Sequence, residues 1–278
     1  MESILELRNA SVSYDGEHKA LHNVNVKIYE GERIAVLGNN GAGKSTFFLC
    51  LNGVLPLQKG ELLLNNYRIK RQKKELGLLR ENVGFVFQDP DSQMIASTVE
   101  SEVSFGLMNK NLPLEEVKLR VNQTLNELDL EKLRKTPPHY LSGGEKKRVS
   151  IADILVMSPK VLLFDEPTSS LDGKNVKVFE DILEEQALND VTMLISTHDI
   201  DFAFRWANRI LVFHEGEIIA DDVAENIFSQ EALLLKASLR KPAFYQFTEM
   251  LCKYRNQELP DLMPKDEKEF EVFLMNKE

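Results

Sequence analysis

Cysteine is scarce in this chain. Only two occur among 278 residues, Cys50 and Cys252, far apart and without metal-ligand spacing. That excludes a disulfide scaffold and a cysteine zinc site, and it suits a reducing cytosol. Long apolar runs are missing too: no stretch approaches the ~20 residues needed to span a bilayer. The opening "MESILELRNASVSY" has neither the basic start nor the apolar core of a secretory signal. Nor is there a basic excess. With 34 Lys and Arg against 44 Asp and Glu, the formal charge of −10 argues against DNA or an anionic lipid surface as the main partner. There is no internal repeat and no low-complexity segment. What remains, 43% hydrophobic and 28% charged residues, is the balance of a soluble cytosolic protein with a sizeable core.

The hydrophobic pattern divides the chain. "ILELRNASVSY" and "ALHNVNVKI" read as strands broken by the turn signal "DGEHK". "ERIAVLG" is a compact apolar strand, followed by a helix from Lys44 to about Asn52. "GELLLNNYRI" and "NVGFVFQ" read as two further strands. Between Asp91 and Pro159 the apolar spacing turns helical, in "VESEVSFGLMN", "EEVKLRVNQTLNELDL" and "EKKRVSIADILVM". Strands return in "KVLLFDE", "VTMLIST" and "RILVFHEGEII", with helices expected over 173–188 and 199–207. Strand–helix alternation predicts an α/β fold built on a mostly parallel sheet, with the helical block inserted into it. Beyond about Leu235 the chain reads as helical.

The chemistry starts at "GNNGAGKST". Gly38, Asn39, Asn40, Gly41, Ala42, Gly43, Lys44, Ser45 and Thr46 fit G-x-x-x-x-G-K-[ST] between a strand and a helix. The glycines let backbone N–H groups wrap phosphates, Lys44 reaches the β- and γ-phosphates, and Ser45 offers a hydroxyl to Mg2+. The apolar run Val161–Phe164 then delivers Asp165 and Glu166 at a strand's carboxyl end, where ligands sit in such sheets. Asp165 suits the metal, and Glu166 is free to polarise an attacking water. Gln88 and His198 end two other strands in comparable positions. A second anion-binding pattern, "LSGGEKKRVSIADIL", opens a helix on two glycines about a hundred residues after the first.

Taken in order, these segments resemble the ATP-binding subunit of ABC transporters. "GNNGAGKST" matches Walker A, Gln88 the Q-loop and "LSGGE" the signature; "VLLFDE" matches Walker B, "SSLD" the D-loop and His198 the switch histidine. The match runs from about Tyr14 to His198. It implies a P-loop fold with an antiparallel N-terminal part, a RecA-like sheet, an inserted helical subdomain at about 91–158, and a small helical extension. On that reading residues 1–235 form the nucleotide-binding domain and 236–278 the extension.

The resemblance further implies an ATPase that uses Mg2+, held by Ser45, Gln88 and Asp165. Tyr14 is implied to stack on adenine, and Glu166, His198, Gln88 and Lys44 to serve hydrolysis. It implies a head-to-tail dimer in which Ser142, Gly143, Gly144 and Glu145 of one chain complete the site of the other. Ser170, Leu171 and Asp172 would lie between the two sites. Glu145 stands where the family usually has glutamine. For Lys146, Lys147 and Arg148, two accounts stay open: positive potential for a phosphate, or a solvated basic face.

"VFQDPDSQMIASTVESEVSFG" resembles the energy-coupling-factor type of importer ATPase. It implies that Asp89 to Gln93 border a groove receiving integral membrane components, and that the chain works at the cytoplasmic face of the cell membrane. "STHDIDFAFRWANRILVFHEGEIIADD" and "LRKPAFYQF" look most like cobalt and nickel importers, so cobalt uptake is the expected service, with nickel or a vitamin as alternatives. The partner ATPase is either a second copy or a paralogue. His18, His22 and His214 lack a convergent ligand in the sequence and are not expected to hold the transported ion. A soluble ABC ATPase acting on DNA or ribosomes fits less well, because no long coiled-coil insertion or second nucleotide-binding half is present.

Overall fold

A computed structural model of the chain describes residues 3–16, 18–110, 112–169 and 171–275. In chain order the elements are β1 (Ser3–Ser13), β2 (Lys19–Tyr29), β3 (Arg33–Leu37), α1 (Lys44–Leu51), β4 (Lys59–Leu64), β5 (Tyr67–Arg68), α2 (Lys73–Asn82) and β6 (Val83–Val86). A helical stretch follows: α3 (Val99–Met108), α4 (Leu114–Glu127) and α5 (Gly143–Leu155). Then come β7 (Val161–Asp165), α6 (Gly173–Leu188), β8 (Thr192–Ser196), α7 (Ile200–Trp206), β9 (Arg209–His214) and β10 (Glu217–Asp222). Helices α8 (Ala224–Ser229), α9 (Glu231–Ala237), α10 (Ala243–Arg255) and α11 (Glu267–Met275) close the chain.

The strands form two sheets, an antiparallel one in the order β2-β1-β4-β5 and a larger one in the order β10-β9-β3-β8-β7-β6. In the larger sheet β9, β3, β8, β7 and β6 run parallel, and β10 adds an antiparallel edge. The interiors of its parallel strands are apolar because both faces are covered, whereas the edge strand β10 is polar and only partly buried. Successive residues point to opposite faces, and the two cores divide accordingly. Ala35, Leu37, Leu162, Phe164, Met193 and Ile195 join the core shared with the inserted helices. Ile34, Val36, Val161, Leu163 and Leu194 join the core shared with β1, β2 and α1.

Parallel register sets where the chemistry emerges. Val36 and Asp165 both pair with Ser196, and Val86 pairs with Phe164. The loops after β3, β6, β7 and β8 therefore leave one edge of the sheet together.

Two expected single strands are hairpins. "GELLLNNYRI" folds back at Asn65 and Asn66, with φ 48 and 62, and "RILVFHEGEII" folds back at Glu215 and Gly216, with φ 49 and 80. Consecutive residues at positive φ make the tight turn whose twist suits antiparallel strands. Helix α2 was not expected from the pattern, and β6 stops at Val86, short of Gln88. The closing helical run is interrupted at Ser238, which has φ 52, before Pro242 starts α10. Helix α10 and the segment after it dock on the α/β core: Tyr245 of α10 and Met263 beyond it are buried there. Asp201 of α7 accepts from the Ala243 N–H at 2.5 Å and pairs with Arg240.

Candidate nucleotide site

At the sheet's carboxyl edge lies a cavity of about 480 Å³ lined by Tyr14, Ala20, Asn39 to Thr46, Gln88, Asp165, Glu166, Ser169 and His198. The loop after β3 has its shape for steric reasons. A Cβ on Gly38, at φ 141, would stand 2.3 Å from the Phe213 carbonyl oxygen. One on Gly43, at φ 107, would stand 2.6 Å from the Ala20 carbonyl. Only glycine meets both the backbone angle and the close approach. The β9–β10 hairpin supplies the floor, since the Gly216 N–H donates to the Ala42 carbonyl at 3.0 Å. Helix α1 starts with no side-chain cap and no acidic residue in its first turn, so its leading N–H groups remain available to an anion.

Lys44 is buried, and its Nζ donates to the carbonyls of Gly38 at 2.6 Å and Asn39 at 3.3 Å. Burial holds its pKa below the usual lysine range, against the opposing charges of Glu166 and Asp165. Asp165 is 6% exposed and accepts from the Ser196 hydroxyl at 2.5 Å. The Glu166 backbone sits in the left-handed region at φ 43, pinned by its N–H donating to Ser196 Oγ at 3.0 Å. A non-glycine residue held there stores strain, and that bend aims the carboxylate into the cavity.

Glu166 Oε1 lies 3.1 Å from His198 Nε2 and 3.9 Å from Lys44 Nζ, yet it accepts no hydrogen bond. The His198 Nε2 hydrogen goes to Asn40 Oδ1 at 2.9 Å, because an amide oxygen can only accept. A buried carboxylate oxygen without a donor is a place for a water to be held. Burial raises the Glu166 pKa, with His198 and Lys44 opposing the rise, and that strengthens it as a base. Ser45, Gln88 and Asp165 line the same cavity and offer a hydroxyl, an amide carbonyl and a carboxylate. An all-oxygen set of this kind fits Mg2+. Tyr14 is 66% exposed at the rim, and its hydroxyl is 3.2 Å from Thr46 Oγ1.

The "LSGGE" segment does not line this cavity; Ser142 and Gly143 are exposed. Ser142 caps α5 in a reciprocal box. Its N–H and hydroxyl donate to Glu145 Oε2 at 2.8 and 2.7 Å, which holds the Glu145 pKa below the usual range. The carboxylate at 145 thus serves the helix start. Gly144 lets α5 approach α6, where a Cβ would stand 2.4 Å from the Asn175 side chain. Asn175 is held by Asp172, at the cap of α6. Leu171 and Asp172 therefore neighbour the signature of their own chain; Ser170 lies outside the described residues.

The account of a solvated basic face fails at Lys147. Lys146 pairs with Asp91 at 2.7 Å, and Lys147 is 1% exposed with its Nζ donating to the carbonyls of Phe87 and Gln88. Burial brings the Lys147 pKa down to about 8, against the charges of Asp165 and Asp89. Arg148 Nε is buried without a partner. Gln93 also turns inward, its Nε2 donating to the Ser150 carbonyl at 2.8 Å and to Asp153 Oδ2 at 3.0 Å. Sequence reasoning missed Ser196, which aligns Asp165 and Glu166, and the inward role of Lys147. The signal for Lys147 was present: it shares the i, i+4, i+7 stripe of Ile151 and Ile154.

A glycine cradle, a buried lysine and two carboxylates on one sheet edge define a P-loop nucleoside-triphosphate site. The ABC transporter family model matches residues 21–169. An energy-coupling factor transporter ATP-binding protein of Methanospirillum hungatei is 41% identical over 265 residues, covering 95% of this chain and 66% of that protein, just under two thirds of its length. One of the same description from Methanothermobacter thermautotrophicus is 44% identical, covering 86% of this chain and 77% of the relative. Among solved structures, a CbiO subunit of Clostridium perfringens, described as part of the ABC transporter complex CbiONQ, superposes with TM-score 0.74 at 39% identity, covering 86% of this chain and 96% of that one. A dimeric ATP-binding cassette in a post-hydrolysis state with ADP and phosphate gives 0.73 at 31% identity, covering 79% and 98%. The chain belongs to the ATP-binding subunits of ABC transporters, of the energy-coupling-factor type, and is an ATPase. No described helix is long and apolar enough to cross a membrane.

Proposed function

We propose that this chain is the ATP-hydrolysing motor of an energy-coupling-factor-type importer for cobalt ions, working at the cytoplasmic face of the membrane as a sandwich dimer. Residues 1–235 are the nucleotide-binding domain and 236–278 its extension. One observation carries the dimer. Lys44, Ser45, Gln88, Asp165, Glu166 and His198 share a cavity, whereas Ser142 and Gly143 stand exposed outside it at a helix N-terminus.

In the proposed cycle Tyr14 stacks on adenine and the amides of Gly38 to Thr46 wrap the phosphates. Lys44 exchanges the carbonyls of Gly38 and Asn39 for β- and γ-phosphate oxygens. Glu166 holds the attacking water in line with the γ-phosphate and takes up its proton, while His198 donates to the γ-phosphate. Ser45, Gln88 and Asp165 would hold Mg2+, which would supply charge neutralisation for the phosphates. The second subunit's signature serine and glycine amides close the site from the far side. Positioning and charge stabilisation then lower the barrier.

Coupling runs through the Asp89–Gln93 region; Ile95 just beyond it, and Phe105 and Met108 of α3, leave apolar surface exposed for membrane subunits. Because Gln93 itself faces α5, docking falls to its outward neighbours. The cobalt assignment rests on the likeness of the 196–222 and 239–247 segments to cobalt and nickel importers. Metal uptake by cells carrying this chain with its membrane subunits tests the proposal. Cobalt accumulation that is lost with Lys44→Ala supports it. Nickel or vitamin uptake instead overturns the cargo, and no transport at all overturns the importer reading.

A further inference from the structure

We propose that Lys147 is a positioning residue that ties the Gln88 loop to the signature helix, so that the two move as one body. The inference rests on the nucleotide site described above.

Lys147 lies just past the first turn of α5, the helix whose start is the "LSGGE" segment. Its ammonium donates to two successive carbonyls, those of Phe87 at 2.9 Å and Gln88 at 3.0 Å. These are the first two residues beyond β6, where the chain leaves the sheet for the cavity. A lysine that is 1% exposed gives up its hydration, and only well-placed acceptors make that tolerable. Here the acceptors are backbone atoms of the loop that presents Gln88.

The same loop is fastened to α5 by further contacts, and each involves a different residue. Gln93 Oε1 accepts from the Phe87 N–H at 3.4 Å while its Nε2 donates to Ser150 and Asp153. Lys146 pairs with Asp91. Residues 87 to 93 thus ride on α5, while the phosphate loop, Asp165 and Glu166 ride on the sheet. The position of Gln88 relative to the γ-phosphate is then set by where α5 stands relative to the sheet. In a sandwich dimer α5 also carries the signature toward the other nucleotide. Lys147 therefore links the geometry of one site to that of the second.

A structural lysine that only satisfies stray carbonyls would contribute to stability and nothing more. A double-mutant cycle separates the two roles. Lys147→Met keeps the length of the side chain and removes its donors. ATPase kinetics of the full chain are measured for Lys147→Met, Gln88→Ala and the pair, alongside thermal melts. Removing hydrogen bonds from a charged donor predicts a loss of about ten-fold or more in kcat, with KM for ATP little changed. In the Gln88→Ala background the same substitution costs about two-fold or less, because its effect passes through Gln88. Lys147→Arg, which keeps charge and donors, restores most of the rate.

Additive losses, a KM effect alone, or a lowered melting temperature with unchanged turnover would each overturn the proposal. If Lys147→Met does not fold, Lys147→Gln, with one amide donor left, carries the same cycle and the same criteria. An inactive wild-type chain would instead count against the ATPase site itself, so the two failures are distinguishable.

Discussion

Replacing Asp153 by asparagine should make the protein more stable near neutral pH. Asp153 is half-buried on α5, where burial and the neighbouring Glu102 charge raise its pKa to about 6, against the Gln93 hydrogen bond that lowers it. Below about pH 4 the carboxyl is protonated in folded and unfolded chains alike. Between about 4 and 6 the folded protein keeps a proton that the unfolded chain has released, so stability falls as pH rises. Above that range the penalty is constant. A pKa of about 6 against 3.8 sets its ceiling at about 3 kcal/mol. Part of the group still reaches water, which reduces it to about 1–2 kcal/mol.

Asparagine removes the charge and keeps an oxygen for Gln93 Nε2 to donate to. For a chain of this size the gain corresponds to about 2–6 °C in Tm. The buried Trp206, the sole tryptophan, provides a fluorescence readout of melting, with calorimetry as a check. The informative quantity is the difference in Tm between variant and wild type along a pH series. It should be near zero at about pH 4 and reach its full value by about pH 7. A difference that stays constant with pH, or a variant less stable than wild type at neutral pH, would refute the reasoning.

Ser142→Tyr should abolish hydrolysis while monomeric ATP affinity stays within about two-fold, because the segment lies outside its own chain's cavity; stopped turnover and nucleotide titration check both halves. Tyr14→Ala should weaken ATP binding by about ten-fold through the loss of an aromatic face, with kcat at saturation little changed. A KM-against-kcat comparison checks it.

Much of the sheet was legible because both of its faces are buried, which leaves uninterrupted apolar runs at β3, β7 and β8. The phosphate loop was legible because glycine spacing is a local requirement, visible without the fold. The hairpins were not, since Asn65-Asn66 and Glu215-Gly216 interrupt the apolar runs with only two residues each. Helix α2 carries so many charges that its apolar face, with Leu79 alone fully buried, gave little periodicity. The inward role of Lys147 was not legible because its acceptors lie some 60 residues earlier in the chain. Local chemistry is written locally, whereas a contact between α5 and the end of β6 exists only after folding.

The central claim is that two chains share each nucleotide. Glu166→Gln removes the base while leaving the cavity's shape and its lysine in place, and it should slow turnover by about 100-fold or more. Analytical ultracentrifugation of that variant with ATP and Mg2+ is the most direct measurement. A stable dimer that reverts to monomer when ATP is withdrawn is the expected result. A chain that remains monomeric with ATP and Mg2+ bound would contradict the account.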